Sequence, residues 1–101
     1  MNNCPICGPT EQRIVRDHNH TTGMVRGPLC DRCNSWVAIY ENWSSRRKPR
    51  GPKRYRNWVL QHRTKIEAHL KLDTGIPYLS GEKFAVTMEK LAKAGKLNPP
   101  I

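Results

Sequence analysis

The sequence has few acidic residues and no long apolar run, and both absences narrow the possible functions. Aspartate and glutamate total 8 against 18 lysines and arginines, and the stretch from Arg46 to Lys65 contains nine cations and no acid. A polyanion is therefore the expected partner, and nucleic acid fits best because clustered cations release counterions from phosphates. A basic surface that binds nothing specific is the alternative. No stretch approaches the roughly 18 to 20 apolar residues that cross a membrane, so no membrane partner is expected.

The cysteines indicate a metal site. No signal peptide is recognisable ahead of Cys4, so we expect a reducing cytoplasm, where paired thiols bind metal more often than each other. Two C-x-x-C pairs, Cys4/Cys7 and Cys30/Cys33, are separated by 22 residues, which is typical of a structural zinc ion with four cysteine ligands. A disulfide framework is the competing interpretation. In a chain of 101 residues the core is small, so such a zinc ion is expected to stabilise it.

Local patterns predict an α+β fold whose first part, residues 1–45, is a zinc-bound module. A short hairpin is predicted from Gln12 to Asp17 and from Met24 to Arg26. A helix is expected to begin between Asp31 and Asn34. Its apolar residues recur at helical spacing: Trp36, Val37, Tyr40 and Trp43.

The second part of the chain is predicted to be helical and basic. Residues 46–53 contain two prolines and a glycine and are interpreted as a basic linker. Residues 54–101 are expected to contain a long helix to about Leu72 and a shorter one from about Gly81 to Ala94. One apolar stripe follows the long helix: Tyr55, Trp58, Val59, His62, Ile66 and Leu70. We interpret His62 and His69 as core or interface residues and not as catalysts.

The run Asp17-His18-Asn19-His20 and the later Asn34 are not needed by a zinc ion that already has four sulfur ligands. A solvated turn is the simplest interpretation of such a polar run. Asp17 and His18 can approach one substrate group only where the strand ends or bends, because neighbouring strand residues point to opposite faces. A carboxylate and an amide oxygen, from Asp17 and Asn34, suit a hard cation such as magnesium.

The residues from Cys4 to Asn34 resemble the phage recombination endonuclease VII family, a branch of the His-Me finger (HNH, ββα-metal) nucleases. The resemblance rests on C-x-x-C, then D-H-x-H, then T-G-x-V-R-G-x-L-C-x-x-C-N. It implies that Asp17 and Asn34 bind Mg²⁺ or Mn²⁺ and that His18 is the general base. His20 either contacts the phosphate or leaving group or forms a hydrogen bond within the hairpin. Arg26 either clamps a phosphate or forms a structural ion pair.

The same resemblance implies an intertwined homodimer that resolves branched DNA such as Holliday junctions, in the host cytoplasm if the chain is phage-encoded. The alternatives are a small HNH enzyme that nicks ordinary duplex DNA and a zinc ribbon that binds DNA without cleaving it. Contacts to phosphates do not distinguish one base sequence from another, so recognition of DNA shape is expected. Besides Arg26, the predicted DNA contacts are Arg46, Arg47, Lys48, Arg50, Lys53 and Arg54.

Overall fold

The computed structural model describes residues 1–42 and 50–96. Trp43 and residues 44–49, which include part of the predicted basic linker, lie outside the described residues, as does the tail from residue 97. Within the described part, the chain forms four short strands and three helices, which confirms the predicted α+β class. No described helix combines the length and the apolar character that a membrane span requires.

Two antiparallel hairpins form the first part of the chain. Strands β1 (Asn2–Cys4) and β2 (Gly8–Thr10) pair around the first cysteine turn, which the sequence had predicted only as a tight turn. Strands β3 (Ile14–His18) and β4 (Val25–Cys30) form the second hairpin, at the predicted place but with a longer second strand. Its register shifts between Asp17 and His18, so the hairpin has an irregularity at the end of β3.

Three helices follow the hairpins. Helix α1 (Asp31–Asn42) begins directly after β4, with an aspartate in its first turn, where a negative charge favours the helix dipole. Helix α2 (Lys53–Leu70) follows Pro52, which suits the start of a helix because it lacks an N–H group. Helix α3 (Phe84–Lys93) is shorter than predicted and packs against β3.

One hydrophobic core joins the two parts of the chain that the sequence separated. Cys4, Ile6 and Leu29 belong to the same buried cluster as residues of α1 and α2. The α2 members are Tyr55, Trp58, Val59 and Ile66, which form most of the predicted apolar stripe. This stripe therefore packs on the chain's own core. The division of the chain into a zinc module and a helical region, with residues 46–53 as the linker between them, stays a prediction.

The segment after α2 returns to the second hairpin. The N–H of Val25 donates to the carbonyl of Ile76, and the N–H of Tyr78 donates to the carbonyl of Gly23, both at 2.8 Å. Met24 and Pro77 form an isolated antiparallel bridge. Residues 74–78 thus pair with the edge of the hairpin near the end of β3, and they hold Tyr78 beside the hairpin.

Candidate active site

The four cysteines come together at one point. Their sulfur atoms all lie within 4.8 Å of one another, and Cys4, Cys30 and Cys33 are buried. The Sγ atoms of Cys7 and Cys30 are 3.7 Å apart, close to the roughly 3.8 Å edge of a tetrahedron with zinc–sulfur bonds of about 2.3 Å. The donor set and its spacing fit a structural zinc ion, as the sequence predicted.

The thiols need a cation in order to ionise together. A side-chain hydrogen bond with Cys33 lowers the pKa of Cys4 to about 4, whereas burial raises the pKa of Cys7 to about 11. The hydrogen bond to Cys4 raises the pKa of Cys33 as well. One thiolate therefore suppresses ionisation of its neighbours, and a divalent cation at the centre compensates the repulsion between the thiolates.

A residue of α2 supports the cysteine cluster from outside. The indole Nε1–H of Trp58 donates to the sulfur of Cys33 at 3.2 Å, and Trp58 is buried. Hydrogen bonds to a metal-bound thiolate stabilise its charge and orient it. The sequence had assigned Trp58 only to packing, because nothing local links it to Cys33, 25 positions earlier.

Asp17 and His18, the last two residues of β3, have different environments. Asp17 is 5% exposed, whereas His18 is half-buried. The Oδ2 atom of Asp17 lies 2.8 Å from Nε of Arg26 and 2.8 Å from Nε2 of His69. Arg26 and His69 therefore contact the same carboxylate oxygen, and neither of them contacts the other oxygen, Oδ1.

Arg26 belongs to the interior of the site and not to its DNA-facing surface. Its side chain is 1% exposed, and its Nη2 donates to Glu41 at 2.6 Å and to the carbonyl of His18 at 3.1 Å. Its Nε lies 2.8 Å from Oδ2 of Asp17, and the two side chains form a buried ion pair. Burial acts to lower the pKa of Arg26, but Glu41 and Asp17 outweigh it and raise that pKa.

The structure thus corrects one of the two interpretations of Arg26. A guanidinium that is buried between two carboxylates is not accessible to a DNA phosphate, so the predicted phosphate clamp is wrong for this arrangement. The ion-pair alternative holds, with Glu41 of α1 as the second partner. Through it, Arg26 connects both strands of the hairpin to α1 and fixes the backbone of His18.

His18 presents its ring between two aromatic neighbours. Tyr78 stacks on it with ring centroids 3.8 Å apart and planes 9° apart, and the ring of His20 lies 4.4 Å away at a tilt. Burial lowers the pKa of His18, and the positive charge of a protonated His20 lowers it further. A lowered pKa keeps the imidazole neutral near pH 7, which is the form that accepts a proton.

His20 lies at the border of an open groove. It is exposed, and together with Thr21 of the hairpin loop and Ala38, Glu41 and Asn42 of α1 it lines a groove of about 650 Å³. The rings of His18 and His20 are neighbours although β3 ends at His18. His20 is therefore placed where a substrate in the groove can reach it.

Asn34 lies in the first turn of α1. It is half-buried and lines a groove of about 360 Å³ with Val15, Arg16 and Tyr78. Within the described residues its amide makes no hydrogen bond, and it makes none to Asp17 or His18. No residue in the described part of the chain engages the amide oxygen, and the pairing of Asn34 with Asp17 on one cation stays a prediction.

The other predicted DNA contacts divide between described and undescribed residues. Arg50, Lys53 and Arg54 are exposed before and at the start of α2. Arg46, Arg47 and Lys48 lie outside the described residues. These exposed side chains are accessible to a DNA phosphate, and their role in DNA binding stays a prediction.

Three residues of the site were missed from the sequence as contributors: Glu41, His69 and Tyr78. His69 was interpreted as a core or interface residue, and it is buried, but its partner is the carboxylate of Asp17, 52 positions earlier. The sequence signal for His69 was a histidine at the edge of an apolar stripe, which is ambiguous by itself. Tyr78 gave no signal, because only the fold returns its segment to the hairpin.

The family model of recombination endonuclease VII matches residues 1–62. No curated protein matches the chain, and no solved structure does. The matched region includes all four cysteines, both hairpins, α1 and the first half of α2, and it ends before His69 and Tyr78.

Proposed function

The chain belongs to the recombination endonuclease VII family, and on that premise we propose that it is a magnesium-dependent DNA endonuclease that resolves branched DNA such as Holliday junctions by phosphodiester hydrolysis. The observation that carries the proposal is the end of β3, where a buried carboxylate, Asp17, is followed directly by the half-buried imidazole of His18. A protein that only binds DNA has no need of this arrangement.

His18 is the proposed general base. Its ring nitrogen takes the proton of the water that attacks the scissile phosphorus, and the lowered pKa keeps that nitrogen available at neutral pH. Arg26 holds the carbonyl of His18 at 3.1 Å, so the backbone that carries the base is fixed by a buried side chain. His20, beside it in the groove, is placed to contact the phosphate or the leaving oxygen.

Asp17 and Asn34 are the proposed ligands of a catalytic Mg²⁺ or Mn²⁺. Their donor atoms are a carboxylate oxygen and an amide oxygen, which hard divalent cations prefer. The Oδ2 of Asp17 is held by Arg26 and His69, and the amide of Asn34 makes no hydrogen bond within the described residues. When bound, the cation supplies charge stabilisation at the scissile phosphate and its departing 3′ oxygen.

A homodimer is part of the proposal, with an interface outside the apolar stripe of α2. The apolar stripe of α2 is buried in the chain's own core, so a second copy has to contact another surface. Leu60 is 66% exposed on the opposite side of α2 and is a candidate for that contact. The burial of the stripe also favours a second candidate function, in which a single copy nicks ordinary duplex DNA.

The experiment that tests the function compares two substrates. Purified zinc-loaded protein is given a synthetic four-way junction and a linear duplex of the same sequence, each with Mg²⁺, and the nicks are mapped. Paired nicks at the branch point with little cutting of the duplex support junction resolution. Equal nicking of both substrates favours the second candidate, and binding of both without cleavage contradicts an endonuclease.

A further inference from the structure

Two contacts to the candidate catalytic pair come from residues beyond the family match. The match ends at residue 62, whereas His69 lies at the end of α2 and Tyr78 lies in the segment that pairs with the hairpin. His69 is hydrogen-bonded to Asp17, and Tyr78 is stacked on His18. Both members of the candidate catalytic pair, Asp17 and His18, are therefore contacted by residues outside the matched region.

The contact of His69 determines which oxygen of Asp17 is available. A carboxylate only accepts hydrogen bonds when it is ionised, so Nε2–H of His69 is the donor to Oδ2 at 2.8 Å. Arg26 approaches the same Oδ2 from the other strand. With both groups on one oxygen, the carboxylate cannot rotate freely, and neither group occupies Oδ1, the oxygen that would bind a cation.

The contact of Tyr78 determines the plane of the His18 ring. The two rings are nearly parallel, and the backbone of Tyr78 is tied to Gly23 by a 2.8 Å hydrogen bond. Arg16 lies over the Tyr78 ring at 4.8 Å and donates to the carbonyl of Leu79 at 3.0 Å. Tyr78 is thus held from both the backbone and the side chain, so it can hold His18 in turn.

We propose that the segment from His69 to Tyr78 completes the active site, with His69 as the positioning residue for the metal ligand Asp17 and Tyr78 as the positioning residue for the base His18. This inference rests on the proposed function. It extends the site beyond the recognisable family region and makes the end of α2 part of the nuclease. Groups around a metal ligand commonly change metal affinity by about 10- to 100-fold when they are removed.

The first test measures metal binding without DNA. Zinc-loaded full-length protein is titrated with Mn²⁺, and free Mn²⁺ is followed by electron paramagnetic resonance. His69→Leu is expected to weaken Mn²⁺ binding about 10- to 100-fold, and His69→Gln, which keeps an N–H donor, is expected to recover part of it. His62→Leu is the matched control on the same helix and should bind Mn²⁺ as the wild type does. Wild-type Mn²⁺ affinity in a folded His69→Leu protein overturns the role of His69.

The second test does not depend on a buried substitution, since Tyr78 is half-buried. Stacking shifts the ring-proton NMR signals of His18 through the ring current of Tyr78. Tyr78→Leu is expected to remove this shift and to lower the single-turnover cleavage rate while junction affinity stays unchanged, and Tyr78→Phe is expected to keep both. An unchanged His18 signal and rate in Tyr78→Leu overturns the role of Tyr78.

Asp17→Asn separates the inference from the proposed function. If the wild type cleaves DNA and Asp17→Asn loses Mn²⁺ binding while His69→Leu and Tyr78→Leu behave as wild type, only the inference is overturned. If the wild type neither binds Mn²⁺ nor cleaves DNA, the proposed function fails, and the positioning roles fail with it.

Discussion

The hydrogen bond from Trp58 to Cys33 offers a quantitative test of how α2 supports the zinc site. In Trp58→Phe the indole donor, which lies 3.2 Å from the sulfur, is removed while an aromatic ring is kept in the core. A hydrogen bond to a charged group contributes about 1.5–3 kcal/mol. The smaller ring leaves a cavity that costs about another 1 kcal/mol.

The expected loss in the free energy of unfolding is therefore about 2.5–4 kcal/mol. In a domain of this size each kcal/mol lowers Tm by roughly 4–8 °C, so Tm should fall by about 10–30 °C. Zinc affinity should fall by about 10- to 100-fold, as expected for a group that orients a metal ligand.

Thermal melts by circular dichroism give the first quantity, and competition with a chromogenic zinc chelator gives the second. Trp36→Phe is the matched control: Trp36 is half-buried, lies 5.4 Å from Trp58 between ring centroids, and makes no hydrogen bond to a cysteine within the described residues. Equal zinc affinities of Trp58→Phe and Trp36→Phe would refute the supporting role of the indole, whatever happened to Tm.

Three further predictions concern the zinc ion, the basic segment and the oligomer. Cys30→Ser should abolish stoichiometric zinc binding and the cooperative thermal melt, because structural zinc contributes about 10–16 kcal/mol and a small domain is stable by only about 5–15 kcal/mol. Zinc content is measured by elemental analysis. An unchanged melt after complete zinc loss would argue against a stabilising role of the zinc ion. If the six cations of residues 46–54 contact phosphates, log Kd plotted against log salt should have a slope of about 5 in magnitude per protomer, and a slope near zero would exclude them as the main contacts. Light scattering should show a dimer that Leu60→Glu dissociates, and a wild-type particle of 11.7 kDa at micromolar concentration would contradict the dimer.

The sequence was sufficient where the signal was local. The spacing of Cys4, Cys7, Cys30 and Cys33 predicts the cluster that the structure contains, because the two knuckles need only a hairpin between them. The requirement that the strand end or bend at Asp17 and His18 is met because β3 ends at His18. Both features depend on residues that are near each other in the chain or joined by one hairpin.

The sequence was insufficient where the partner is distant. Helical periodicity identified the apolar stripe of α2, but periodicity shows which face is apolar and not what covers that face; the structure covers it with the core around Cys33 and Val37. The same limit applies to Arg26, whose partner Glu41 lies on α1. His69 and Tyr78 are 52 and 60 positions from the residues they contact, and only the return of the chain to the hairpin brings them there.

The most direct measurement of the central claim is the single-turnover cleavage rate of His18→Ala with Mg²⁺, on the substrate that the wild type cuts best. We expect the variant to lose cleavage while its zinc content, melt and DNA affinity remain those of the wild type, because the proposed role of His18 is only to accept a proton. Cleavage by His18→Ala at a rate near that of the wild type would contradict the proposed active site.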